Sequence, residues 1–199
     1  MSVPILSVVK VAEADFPTRF GHFRIYGFVT GGEEAIAIRM GDLCGEPPLV
    51  RIHSQCVTGD VFHSLRCDCR SQLELALETI AEEGRGLVIY EAKEGRGIGL
   101  VNKIRAYELQ DQGADTVEAN EKLGFEADYR DYELPGGILQ YFGVNRVRLM
   151  SNNPGKIEAL EAAGVKVTER VPCQPPEHPK ASRYLSTKKE KLGHLLEGF

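Results

Sequence analysis

The segments Phe23-Arg24-Ile25-Tyr26-Gly27-Phe28-Val29, Ala35-Ile36-Ala37-Ile38-Arg39-Met40 and Leu49-Val50-Arg51-Ile52-His53 carry the two-residue rhythm of half-buried strands. Gly31-Gly32 and Gly45-Glu46-Pro47-Pro48 supply turns between them. The rhythm then changes. Leu73, Ala76, Leu77, Ile80 and Ala81 recur at helical spacing, and Ser71 through Glu74 has the form of a capping box, so a helix is expected to start just after Cys67 and Cys69. Gly86-Leu87-Val88-Ile89-Tyr90 reads as a buried strand. A glycine loop follows, then helices near Leu100 to Gln112 and near Ile138 to Phe142, with Leu134-Pro135-Gly136-Gly137 as a loop. The last alternations predict a strand Arg146 to Met150, a helix Pro154 to Ala163 and a strand Val165 to Arg170. Antiparallel strands leading into strand-helix alternation give an α/β fold: a mixed β-sheet with N-terminal antiparallel strands and helices packed on its faces.

Composition narrows the class. The chain has 199 residues, 42% hydrophobic and 27% charged, enough to bury the core of one compact unit. Four prolines between Val171 and Pro179 exclude a helix or central strand there. They separate a main domain at 1–172 from a linker and helical tail at 173–199 that belongs to the same unit. A net charge of -5 argues against a broad basic surface, so no nucleic-acid partner is expected and a small anionic ligand in a focused pocket fits better. No stretch reaches the roughly 18 to 20 apolar residues that span a bilayer. The start lacks the basic region of a signal peptide, so a cytoplasmic protein with no membrane partner is expected. The five cysteines are an odd set, and the couplet Cys67/Cys69 is poorly placed for a disulfide, which favours reduced thiols. Cys44 and Cys173 read as bystanders.

The strongest chemical signal is Cys56 with Cys67-Asp68-Cys69, set among Arg51, His53, Arg66 and Arg70. Thiolates beside cations are ligands that zinc prefers, and a three-ligand site leaves a coordination position for water. Two alternatives stand beside it: small buried hydrophobes, and a closed structural site completed by His53 or His63. Glu94-Gly95-Arg96-Gly97-Ile98-Gly99-Leu100, between a strand and a helix, offers backbone amides and a fixed cation to an anion. A flexible turn would look the same. Asp128-Tyr129-Arg130-Asp131-Tyr132 pairs an acid with a guanidinium, either a proton acceptor with a charge stabiliser or an inert surface pair. Ser151-Asn152-Asn153-Pro154-Gly155-Lys156 reads as a phosphate-holding strand end or as an ordinary helix cap.

Taken together, these residues resemble GTP cyclohydrolase II, which opens the imidazole ring of GTP in riboflavin biosynthesis. The resemblance runs from about Val9 to Leu196. It rests on the segments Arg51 to Asp60, Ser64 to Cys69, Glu94 to Leu100, Asn102 to Tyr107, Asp115 to Asn120 and Ser151 to Pro154. It implies a homodimeric hydrolase using catalytic zinc, with magnesium accompanying the triphosphate. Cys56, Cys67 and Cys69 would hold the zinc. Arg51, Ile52, His53, Ser54, Gln55, Gln72, Glu94, Gly95, Arg96, Thr116, Ser151 and Lys156 would line the GTP site. Tyr107, Asp128 and Arg130 match catalytic positions, with Asp128 as proton acceptor and Arg130 in the position called the nucleophile. A guanidinium stays protonated, with a pKa above about 12, and is better suited to stabilising departing pyrophosphate than to attacking phosphorus.

The implied products are formate, pyrophosphate and 2,5-diamino-6-hydroxy-4-(5-phosphoribosylamino)pyrimidine. Gln55 departs from the family pattern by standing where a glutamate usually precedes the first cysteine, and Ser151 replaces the more usual threonine. Two other readings keep part of the picture. One is a diverged paralogue that stops at a formylated intermediate or serves another GTP-derived pathway. The other is a non-catalytic nucleotide-binding protein stapled by four-coordinate zinc.

Overall fold

The computed structural model describes residues 8–125, 132–176 and 178–197. These contain the strands β1 (Val9–Thr18), β2 (Gly21–Thr30), β3 (Glu33–Met40), β4 (Leu49–Ser54), β5 (Gly86–Glu91), β6 (Arg146–Met150) and β7 (Lys166–Val171). The helices are α1 (Val57–Asp60), α2 (Cys69–Glu83), α3 (Leu100–Asp111), α4 (Thr116–Lys122), α5 (Glu133–Tyr141), α6 (Pro154–Ala162) and α7 (Ser182–Leu192), with two short 3-10 turns at Glu94–Gly97 and Pro179–Ala181. They group into two units. One takes the described residues of Met1–His53, Glu74–Ala92 and Asp131–Cys173, and the other those of Ser54–Leu73, Lys93–Arg130 and Gln174–Phe199.

The first unit is built on a seven-stranded sheet in the order β1-β2-β3-β5-β4-β6-β7. The hairpins β1/β2 and β2/β3 and the pair β3/β5 are antiparallel, whereas β4/β6 and β6/β7 are parallel. This is the expected mixed α/β sheet. Its core joins Tyr26, Phe28, Val50, Ile52, Leu87, Ile89, Val147 and Leu149 from the strands to Leu134, Ile138, Leu139 and Leu160 from α5 and α6. Each such side chain contributes about 1.5–3 kcal/mol by leaving water. β4 is buried at five successive positions, Leu49 to His53, as a strand between two others must be.

Several local features differ from the sequence-based expectation. β1 went unpredicted because it is an edge strand, mostly exposed on both faces and without a clean alternation. Pro17 near its end is tolerated because an edge strand leaves amides unpaired on one side. α2 starts at Cys69, so Ser71 lies inside the helix rather than capping it; the Asp68 carbonyl accepts the Gln72 amide at 2.9 Å. α4, only seven residues long, was missed although Asp115 and Glu118 form a true capping box.

The predicted Leu134-Pro135-Gly136-Gly137 loop is the first part of α5. Pro135 falls in the first turn, where a backbone N–H has no intrahelical acceptor to lose. Gly136 has a packing role: a Cβ there would stand 2.5 Å from Ala163 Cβ. Gly136→Ala should therefore destabilise the protein by about 1–3 kcal/mol through overpacking. Helix propensity alone would stabilise it by about 1 kcal/mol, so the sign of the change in urea unfolding decides between the two effects. Among the described residues no helix is long and apolar enough to cross a membrane.

Candidate functional site

The second unit gathers the cysteines by local means. Cys56 immediately precedes the single turn α1, its carbonyl accepting the amides of Gly59 (3.0 Å) and Asp60 (2.7 Å). The Cys56 amide donates to Asp60 Oδ2 at 2.9 Å. Arg70 Nη1 donates to the Asp60 carbonyl at 2.9 Å, fastening the end of α1 to the start of α2, where Cys69 sits. The result brings Cys56 Sγ to 3.7 Å from Cys67 Sγ, and all three sulfurs lie within 4.8 Å of one another. This is the one group of potential metal ligands of its kind among the described residues, and no histidine belongs to it. The trio can hold a metal ion, and the group includes neither His53 nor His63.

Packing makes the same point. A Cβ on Gly59 would lie 3.0 Å from Cys67 Sγ, 3.2 Å from Cys56 Sγ and 3.3 Å from Cys69 Cβ, so glycine is what lets the sulfurs converge on α1. Gly59→Ala should push the sulfurs apart and lower metal affinity by about 10-fold or more, as substitutions around a ligand shell do. A chelator titration of the purified variant measures this; unchanged affinity would show that the trio has slack.

Electrostatics prepare the trio for a cation. Hydrogen bonds from the Cys67 and Cys69 thiols, reinforced by the Lys103 ammonium, hold Cys56 far below the usual thiol range despite its burial. Its two partners are driven the other way: the hydrogen bond to Cys56, together with burial, pushes Cys67 up to about 11, and the same influences push Cys69 well up. Zinc binds the thiolate forms, so metal binding releases the protons that the sulfurs carry. Lys103 Nζ lies 3.0 Å from Cys56 Sγ and 2.8 Å from Glu94 Oε1, with side chains of Lys103 and Glu94 12% and 8% exposed. Burial alone would lower the Lys103 pKa, but the Cys56 thiolate and Glu94 more than offset it and the ammonium stays charged. Glu94 Oε2 in turn accepts the Val57 amide at 2.6 Å, at the start of α1.

Tyr107 completes this side. Its hydroxyl is 3.1 Å from Thr58 Oγ1, which is 3.7 Å from Cys56 Sγ. Burial, more than any charge, raises its pKa, so the phenol keeps its proton. Arg66 and Lys103 lie 4.9 and 5.7 Å from its ring centre.

The remaining predicted positions divide between the units. Ser54 and Gln55 lead directly into Cys56. Gln72 Nε2 donates to Asp68 Oδ2 at 2.6 Å. Gly95 and Arg96 form the 3-10 turn after Glu94, Arg96 at φ 60, with a buried Nη1 that makes no hydrogen bond. A non-glycine residue held at positive φ costs on the order of 1–3 kcal/mol, a cost typical of ligand sites. Thr116 opens α4 and borders a cavity of ≈ 250 Å³ with Arg66, Asp115, Tyr184 and Thr187.

In the first unit Arg51, Ile52 and His53 occupy the end of β4, and Ser151 follows its parallel neighbour β6. The carboxyl ends of parallel strands are where α/β sheets receive ligands. Arg51 Nη1 donates to the Met150 carbonyl at 3.0 Å, and His53 stacks on Tyr90 with ring centres 5.4 Å apart. Asn153 caps α6 with Pro154 in the first turn, as the plain capping reading anticipates. Buried Lys156 donates from Nζ to the Ile52 carbonyl at 2.7 Å and lies 5.3 Å from the Tyr132 ring centre. Asp128 and Arg130 lie outside the described residues.

Lys103 escaped the reading of the sequence. The available signal was its position four residues before Tyr107 on a helix, which places both on one face.

The chain is similar to known proteins over nearly its whole length. The GTP cyclohydrolase II family model matches residues 9–172. A GTP cyclohydrolase-2 of Azotobacter vinelandii is 56% identical over 194 residues, covering 96% of this chain and 93% of that protein. One from Pseudomonas paraeruginosa is 57% identical, covering 96% and 95%. A riboflavin biosynthesis protein of Vibrio vulnificus is 53% identical across 98% of this chain and 54% of its own length. With a match that takes in the cysteine trio, the Glu94 turn and the Lys103–Tyr107 helix, the chain belongs to the GTP cyclohydrolase II family.

Proposed function

We propose that Cys56, Cys67 and Cys69 hold a zinc ion and that the protein uses it to open the imidazole ring of GTP, releasing formate and pyrophosphate and leaving a diaminopyrimidine ribose monophosphate. The observation that carries the metal assignment is the 3.7 Å between Cys56 Sγ and Cys67 Sγ. Two thiolates each bonded at about 2.3 Å to one tetrahedral zinc stand about 3.8 Å apart. Family membership supplies the substrate.

When bound, zinc supplies the Lewis acidity that makes water a nucleophile near neutral pH. The chain's own residues do the rest. Lys103, against Cys56, offsets the negative charge that three thiolates bring, about -1 net with a divalent ion, and keeps the centre electrophilic. Tyr107, linked through Thr58, is positioned to pass a proton as the ring opens. Asp128 is proposed as the proton acceptor, and Arg130 as the cation that steadies departing pyrophosphate.

Arg51, Ile52, His53, Ser54, Gln55, Gln72, Glu94, Gly95, Arg96, Thr116, Ser151 and Lys156 are proposed to line the GTP site, with Mg²⁺ on the triphosphate. The strained backbone of Arg96 and its buried Nη1 support that reading for its turn. We propose a homodimer working in a reducing cytoplasm, where exposed Cys44 and the trio stay reduced and form no disulfide.

The test is incubation of zinc-loaded protein with GTP and Mg²⁺, followed by identification of products. Formate, pyrophosphate and the pyrimidine should appear in equal amounts. GTP bound but unchanged would point to a sensor, and a retained formyl group to a diverged enzyme.

A further inference from the structure

The residue between the two clustered cysteines, Asp68, is held from the far end of the sequence. Lys188 Nζ, on α7, donates to Asp68 Oδ1 at 2.8 Å, with the two side chains only 9% and 10% exposed. The other carboxylate oxygen accepts from Gln72 Nε2. Both fixings act on the one turn that aims Cys67 and Cys69. The lysine is itself confined, its ammonium 4.4 Å from the Tyr184 ring centre. Tyr184 and Thr187, on the same helix, border the cavity shared with Arg66 and Thr116. α7 thus lies beside this chemistry although it falls outside the residues 9–172 that the family model matches.

We infer that Lys188 is a positioning residue for the metal centre: its buried ion pair with Asp68 sets the Cys67-Asp68-Cys69 turn so that both sulfurs converge with Cys56. The inference rests on the proposed metal site. Its logic is electrostatic as well as steric. A carboxylate between two thiolate ligands adds a negative charge to a centre that already carries about -1, and Lys188 neutralises it without competing for the metal, since an ammonium has no lone pair. A buried carboxylate stripped of its partner would move toward water or toward another cation, taking the turn with it.

The same helix provides an internal control. Lys191 pairs with Asp115 and Glu118 but is 41% exposed, and exposed pairs contribute little. Full-length wild type, Lys188→Met, Lys188→Arg and Lys191→Met would be loaded with zinc and titrated with a metallochromic chelator. Circular dichroism of the zinc-free forms would report the fold. Lys188→Met should bind zinc about 10- to 100-fold more weakly, the usual cost of removing support around a metal ligand. Lys188→Arg should recover most of that loss, and Lys191→Met should match wild type. Should Lys188→Met fail to fold, Asp68→Asn, which keeps the side-chain size at the other end of the pair, should show the same weakening. Wild-type affinity in Lys188→Met or Asp68→Asn, or an equal loss in Lys191→Met, would overturn the inference. Wild-type protein that takes up no zinc would overturn the metal assignment itself, a different result from zinc-replete wild type beside an unaffected Lys188→Met.

Discussion

Cys67→Ser should abolish zinc retention and slow formate release from GTP by at least about a thousandfold, roughly 4 kcal/mol of transition-state stabilisation. The sulfur lies 3.7 Å from Cys56 Sγ in a group whose ligand atoms fall within 4.8 Å, and no described histidine or carboxylate joins that group to take its place. Serine keeps the volume but offers a hydroxyl that is neutral at pH 7, where thiolate is what zinc binds. Pyrophosphate release depends on groups around the triphosphate and need not fall in parallel. Parallel assays of formate and pyrophosphate on the variant check both halves. Ring opening at full rate would show that the metal is held elsewhere.

Lys103→Met should lower the free energy of unfolding by about 3–5 kcal/mol, because it strands a buried carboxylate. Glu94 would lose its partner at 2.8 Å while 8% exposed, and its other oxygen anchors the Val57 amide at the start of α1. The damage therefore spreads to Cys56, one residue away, which would also lose the cation 3.0 Å from its sulfur. Urea unfolding of the zinc-free variant measures the stability loss and a chelator titration the metal loss. Lys103→Arg should recover charge but only part of the affinity, since a planar guanidinium does not fit a point-charge position. A stability change under about 1 kcal/mol, the range of exposed pairs, would show the pair to be solvated.

Much of the fold was legible because the signals were local. The alternation of Phe23–Val29 and Ala35–Met40, broken by Gly31-Gly32, located β2 and β3, and the spacing of Leu73, Ala76, Leu77 and Ile80 located α2. Where packing outweighs local preference, the sequence misleads. Pro135 and Gly136 look like a loop, yet one sits where a helix tolerates proline and the other where α5 leaves no room for a side chain beside Ala163. β1 buries too little to show a pattern.

The candidate site divides in the same way. Cysteine has distinctive chemistry and tight spacing, so Cys56, Cys67 and Cys69 were identifiable without a structure. Lysines are abundant on any surface: nothing local distinguishes Lys188, and Lys103 has only its helical spacing from Tyr107. Their significance comes from partners 47 and 120 positions away, Cys56 and Asp68. Asp128 and Arg130, read from the sequence, lie outside the described residues, and their roles rest on variants at those positions.

The account stands on three sulfurs binding one zinc with a fourth position open. X-ray absorption at the zinc edge of the loaded protein reads that shell directly. Three sulfurs at about 2.3 Å and a single light atom at about 2.0 Å are predicted, the light atom exchanging when GTP is added. A fourth sulfur, an imidazole scattering pattern in the fourth position, or protein that retains no stoichiometric zinc would contradict it.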